Sequence, residues 1–170
     1  MGRIIQVVHP KTNEVMQIDI SNVDLNQLFS RCQPSASEDQ IRTGIANLPL
    51  QCVSNAAEIR SLLGWLADYS VKIGDAVLYI GRKVLEIVLF FVKNYPNTAI
   101  GMVVGAAVGM LLSSIPVLGW LLGWLIVPLC TALGMAIGFW NDIQEKQLKS
   151  ELDKRISHFF GQLQNIPVAS

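Results

Sequence analysis

Apolar and polar positions alternate at the start of the chain, then fall into a helical period, and then lose all period. Ile5 and Val7, followed by Met16, Ile18 and Ile20, alternate with polar residues, the two-residue period of half-buried strands. The runs Arg3 to Val8 and Val15 to Ile20 flank the turn-rich His9-Pro10-Lys11-Thr12-Asn13-Glu14, so the pattern predicts a β-hairpin. Such a hairpin is marginal alone in water and needs a surface to pack on. His9 has no second ligand or nucleophile beside it and reads as a surface or turn residue. Ser21 or Asn22 can cap a short helix through about Arg31, with Val23, Leu25, Leu28 and Phe29 on its apolar side. Pro34-Ser35-Ala36-Ser37 is a break. Ser37 followed by Gln40 has capping-box spacing and starts a helix to about Asn47, stopped by Pro49. Residues 1–53 thus form a small α+β head.

Over residues 54–93 the period becomes helical. Ser54 is a reasonable N-cap, and the apolar stripe runs Ile59, Leu62, Leu63, Leu66, Tyr69, Ile73, Val77, Ile80, Val84, Ile87 or Val88, and Phe91. The charges lie mostly off that stripe, which predicts an amphipathic helix. Gly64, Gly74 and Gly81 mark kinks or the close approach of another helix. Its last part, Val84 to Val92, suits either the plane of a membrane interface or a helix bundle.

Residues 94–141 carry no Asp, Glu, Lys, Arg or His over 48 positions. One bilayer-spanning helix needs roughly 20 apolar residues, so the segment is long enough for two, turning at Ser113-Ser114-Ile115-Pro116. This predicts a mainly α protein with a transmembrane, or membrane-inserting, helical hairpin. Pro96 suits a first helical turn, and the first arm is read from Ala99 to Ile115. Gly101, Gly105 and Gly109 share one helical face, and Gly119/Gly123 and Gly134/Gly138 add two more such pairs. Faces without side chains let helices approach closely in lipid. They serve packing of the two arms on each other, assembly of several chains, or both. Trp120 and Trp140 are 20 residues apart. Along one helix that is about 30 Å, the hydrocarbon thickness, with Tyr95 level with Trp140. These three are the expected membrane-interface residues. Pro128 should kink the second arm and free a carbonyl near Trp124, with Thr131 or Ser113 available to satisfy such groups.

In residues 142–170, Leu148, Leu152, Ile156, Phe159 and Leu163 form an amphipathic helix ending near Gly161 or at Pro167, with Glu145/Lys149 as an i,i+4 pair. It suits packing on the helix of residues 54–93, a short coiled-coil seam, or the membrane surface. His158 lies off the stripe. These flanking segments are too few to be expected to bury 48 apolar residues, so a water-borne state would need an oligomer or a chaperone-like partner.

Thirteen basic and thirteen acidic residues balance, and all lie outside the apolar segment. No nucleic-acid footprint is expected. Met1-Gly2-Arg3-Ile4-Ile5-Gln6 has no apolar signal region, and Gln6 breaks a myristoylation motif. Cys32, Cys52 and Cys130 have no metal spacing and read as free thiols. The sequence offers no nucleophile elbow or phosphate loop, its two histidines lie far apart, and the apolar segment holds no paired carboxylates, so neither an enzyme nor a cofactor nor a metal site is expected. Because a hairpin returns the chain to the side it left, both termini share a compartment. The positive-inside rule assigns that side to the cytoplasm, which predicts a two-span inner-membrane protein.

Two resemblances follow. Lys93-Asn94-Tyr95-Pro96 running into Ala99 through Leu112 resembles the glycine-zipper membrane segment of small bacterial inner-membrane proteins, including ribosome-associated tail-anchored ones. The uncharged hairpin between amphipathic helices is similar to the hydrophobic hairpin of colicin-type pore-forming domains and of small membrane-depolarising antibacterial effectors. The second resemblance implies a toxin or effector that inserts into a bilayer, self-associates and permeabilises it. The alternatives are an anchor or adaptor that tethers a cytoplasmic protein partner, and a subunit of a membrane complex.

Overall fold

The computed structural model describes residues 4–9, 11–50, 55–73, 76–96, 98–134 and 146–164. The alternation at the start folds as expected. Strands β1 (Ile4–Val8) and β2 (Val15–Asp19) pair antiparallel in register from Ile4 opposite Asp19 to Val8 opposite Val15. Val7, Met16 and Ile18 turn inward, while Ile4, Val8 and Val15 stay exposed. The turn closes as the His9 N–H donates to the Glu14 carbonyl at 2.8 Å and the Asn13 N–H to the His9 carbonyl at 3.0 Å. Asn13 sits at φ 60°, the left-handed region that Asn tolerates better than most side chains.

Two short helices follow. Helix α1 (Leu25–Cys32) is capped by Asp24, whose carboxylate accepts from the Gln27 N–H, rather than by Ser21 or Asn22. Ser21 is instead bonded to the Asp19 carboxylate, which accepts its N–H at 2.9 Å. Helix α2 (Glu38–Ala46) starts on the expected capping box: Ser37 Oγ accepts from the Gln40 N–H, and Gln40 Oε1 accepts from the Ser37 N–H. A Ser37→Ala variant is expected to lose about 1 kcal/mol, seen as a lower urea midpoint at unchanged slope.

The single amphipathic helix expected over 54–93 is two helices with a hairpin between them. Helix α3 (Ala56–Ala67) and helix α4 (Ile80–Asn94) flank strands β3 (Val71–Ile73) and β4 (Ala76–Leu78), paired antiparallel. The cause is legible afterwards. Gly74-Asp75 separates two short β-favouring runs, a hairpin spacing that outweighs a helical stripe already interrupted by glycine. Ser54, the expected cap, lies outside the described residues. Gly81 marks the close approach of α3 and α4: a Cβ there would stand 1.9 Å from the Leu66 carbonyl oxygen.

Helix α5 (Ile100–Ser114) and helix α6 (Pro116–Ala132) form the apolar hairpin. Pro96 lies between α4 and α5, not in a first helical turn. The last helix, α7 (Lys146–Gln164), runs past Gly161. It buries Leu148, Leu152, Ile156, Phe160 and Leu163, with Phe159 only half-buried. Pro167 and Glu145 lie outside the described residues. Helix α5 packs on α4, α6 and α7, while α6 also packs on α3. Eleven of the fifteen residues of α5 are buried. The described chain therefore encloses α5, while α6 keeps an exposed side that includes Val127. For α5, α4 lends Val84, Leu85, Ile87, Val88 and Phe91, and the two β-hairpins cover Val117 and Leu121 of α6. Each fully buried Val, Leu or Met contributes about 1.5–3 kcal/mol before chain entropy is charged against it.

Among the described residues no helix is long and apolar enough to cross a membrane. The 15 residues of α5 extend about 22 Å and the 17 of α6 about 26 Å, against roughly 30 Å of hydrocarbon. Helix α6 stops where Gly134 takes φ +72°. The continuous helix from Trp120 to Trp140 that set the 30 Å spacing is therefore interrupted, and Trp140 and Gly138 lie outside the described residues.

Candidate functional site

The candidate site is the uncharged hairpin together with what covers it. Along α5, Gly101, Gly105 and Gly109 are all buried, so the expected glycine face lies inside the fold. Along α6 the glycines divide. A Cβ on Gly119 would stand 2.6 Å from the Leu112 carbonyl oxygen, so Gly119 marks a close approach of the two arms. Gly123 meets nothing within 4 Å and does not mark close packing in this fold. Gly134 is a helix stop, because its positive φ is cheap only for a residue without a Cβ. The hydroxyls of Ser113 and Thr131 donate to their own helices, to the Met110 carbonyl at 3.3 Å and the Val127 carbonyl at 2.8 Å. Thr131 thus does not serve the carbonyl of Trp124 that Pro128 leaves free.

The aromatic positions have protein neighbours here. Trp120, expected at a membrane interface, is half-buried and meets the His9 ring edge-on at 5.2 Å. Trp124 meets Trp65 edge-on at 4.7 Å, and the Lys11 ammonium stands 4.5 Å from the centre of its ring. Its indole N–H is buried with no hydrogen-bond acceptor among the described residues, which costs about 1–3 kcal/mol. Tyr95 is half-buried and stacks on Phe91 at 5.7 Å. Below the tryptophans, Ile5 and Val7 of the first β-hairpin and Val71 and Leu78 of the second face Val117 and Leu121 of α6. Only about 30 Å³ of free space remains between them. His9 is the expected turn residue, though a buried one: its Nδ1 accepts from the N–H groups of Lys11 at 3.1 Å and Thr12 at 3.2 Å.

On the other side, α4 and α7 carry the polar part of the cover. Lys83 is only 4% exposed. Its ammonium bonds Glu86 at 3.1 Å and lies 3.8 Å from the Phe159 ring centre. Glu86 in turn accepts from the Ser35 N–H. The Arg155 guanidinium stacks 3.6 Å over Phe90. Cys32 of α1 is fully buried and donates to the Phe159 carbonyl. Burial pushes its thiol up from 9.0 to about 12, against the opposing pull of Lys83 and Arg31. The ion pairs of Arg42 with Glu38 and Asp68 are exposed and contribute little. Among the described residues no cluster of His, Cys, Asp and Glu converges on a metal-sized site.

The hairpin's glycines and Trp120 were candidates from the sequence; the covering residues His9, Lys11, Trp65, Lys83 and Cys32 were not. They come from four separate elements, and no local spacing connects them. No protein-family model, curated protein or solved structure matches this chain.

Proposed function

We propose that the chain is a membrane-inserting protein held here in a closed form, with α5 and α6 as the inserting hairpin. Its action is to permeabilise or depolarise a bilayer, in the manner of the colicin-type domains and small antibacterial effectors that the hairpin resembles. The observation that carries this reading is the position of α5. It is an uncharged glycine-rich helix, and it sits enclosed by α4, α6 and α7, of which α4 and α7 carry charged residues. Enclosed α5 and α6 are too short to span, so insertion requires the arms to lengthen. The uncharged residues on either side, from Asn94 and up to Asn141, allow this without moving a charge into lipid. In that state both termini stay on one side, the cytoplasmic face of the inner membrane. The glycine faces then associate within one chain or between copies.

Induced expression with a membrane-potential dye tests the reading, and loss of potential is the expected result. Unchanged potential and growth, with the protein recovered in the membrane fraction, would favour an anchor for a cytoplasmic partner or a subunit of a complex.

Gly123 separates the closed and inserted states. Its Cβ direction is open here, so Gly123→Leu should leave the closed fold intact or stabilise it by up to about 1 kcal/mol. If Gly119 and Gly123 bring helices together in lipid, the same variant should lose most of its depolarising activity. Full activity at unchanged stability would remove Gly123 from the packing face.

A further inference from the structure

We propose that the β1–β2 hairpin is a lid whose opening exposes the Trp120–Trp124 face of α6. The purpose of such a lid rests on the insertion reading above, but its opening is measurable without any membrane.

Placement is the first support. The turn of the hairpin lies over both tryptophans, through His9 on Trp120 and Lys11 on Trp124, and its inner strand face lies over Val117 and Leu121. The second is connectivity. Among the described residues β1 and β2 form a sheet of their own, hydrogen-bonded to each other and to no third strand. The hairpin can therefore leave α6 as a unit without breaking a ladder, and two-stranded sheets of this size are marginal when isolated. The third is the unmet N–H of Trp124, a polar donor held in the closed form without an acceptor among the described residues. Opening lets water or a lipid carbonyl take that bond, so part of the cost of uncovering the tryptophan face is returned.

The lid carries its own adjustable point. Asn13 is exposed and holds the left-handed conformation on which the turn depends. A β-branched residue there strains the turn without touching α6. In a full-length Trp65→Phe, Trp140→Phe background, emission reports Trp120 and Trp124 alone. Adding Asn13→Val should speed amide exchange in β1 and β2 by roughly tenfold, given the cost of that conformation for a side chain. Acrylamide quenching of the two tryptophans should rise with it at unchanged helical circular dichroism. Asn13→Gly should do neither. If Asn13→Val loses helical signal, Lys11→Ala replaces it, since that side chain is exposed and its ammonium stands over the Trp124 ring of α6.

Faster exchange in the strands with unchanged quenching would overturn the lid, and so would no change in either. Dye release from vesicles then separates the two claims. More quenching, with no release from the parent or the variant, keeps the lid and rejects membrane insertion. Release by the parent that Asn13→Val fails to accelerate, despite more quenching, rejects the lid as a gate.

Discussion

A Gly81→Ala variant is expected to lose roughly 3 kcal/mol of stability, the upper end for overpacking, because the atom in the way is backbone. The added methyl would meet the Leu66 carbonyl oxygen at 1.9 Å and the Tyr69 carbonyl oxygen at 3.0 Å. Neither can rotate aside as a side chain would. The Tyr69 carbonyl also accepts from the Gly81 N–H at 3.1 Å, so shifting α4 to make room breaks the bond that starts it. The effect reaches the candidate site, since α3 packs on α6 and α4 packs on α5. Binding of a hydrophobic dye should therefore rise in Gly81→Ala before the global transition. Gly64 in α3 is the control. Nothing lies within 4 Å of its Cβ direction, so Gly64→Ala should gain up to about 1 kcal/mol. Equal urea midpoints for the two variants would mean that α3 and α4 are not in backbone contact.

Cys32 is expected to resist alkylation in the native protein by at least three orders of magnitude relative to an ordinary thiol. Its thiol is pushed from 9.0 to about 12, so the thiolate fraction near neutral pH falls roughly a thousandfold. The sulfur is also fully buried against the Phe159 carbonyl. In a Cys52→Ser, Cys130→Ser background, slow labelling that becomes fast in urea is the expected result. Fast labelling of the native chain would show that α1 and α7 part readily. The same shift sets a pH dependence. The folded state holds the Cys32 proton more tightly than the unfolded state does. Its contribution to stability is therefore fully present below about pH 9 and is lost as pH rises toward 12, at about 1.4 kcal/mol per unit. Burial raises the Tyr69 hydroxyl in the same direction, so Cys32→Ala should flatten the alkaline decline only in part.

Much of the secondary structure was legible. The first hairpin, the capping box at Ser37 and the turn at Pro116 are local devices, each fixed by residues a few positions apart. The second hairpin was legible too but was read through, because Ile73 and Val77 also satisfy a helical spacing. The end of α6 was not legible. A glycine four residues before another reads as a packing pair, and only the backbone conformation shows that Gly134 ends the helix. The site was legible by half. An uncharged run identifies the hairpin, but the partners of its aromatic residues lie far away in sequence. His9 meets Trp120 and Trp65 meets Trp124, pairs that no periodicity links.

The sequence by itself identified residues 94–141 as the segment with most to gain from leaving water, because it carries no charge. It also determined that α4 and α7 can each offer an apolar stripe. Which surface takes the apolar segment out of water was decided by tertiary structure. For α5 it is the protein's own, since α4, α6 and α7 close around it; on α6 the first hairpin lies across the tryptophans while Val127 stays exposed. The hydrophobic effect is non-directional and rewards burial in protein and in lipid alike. The choice therefore rests on shape: the contact at Gly81, the contact at Gly119 and the turn at Asn13 are steric facts that hydrophobicity does not encode.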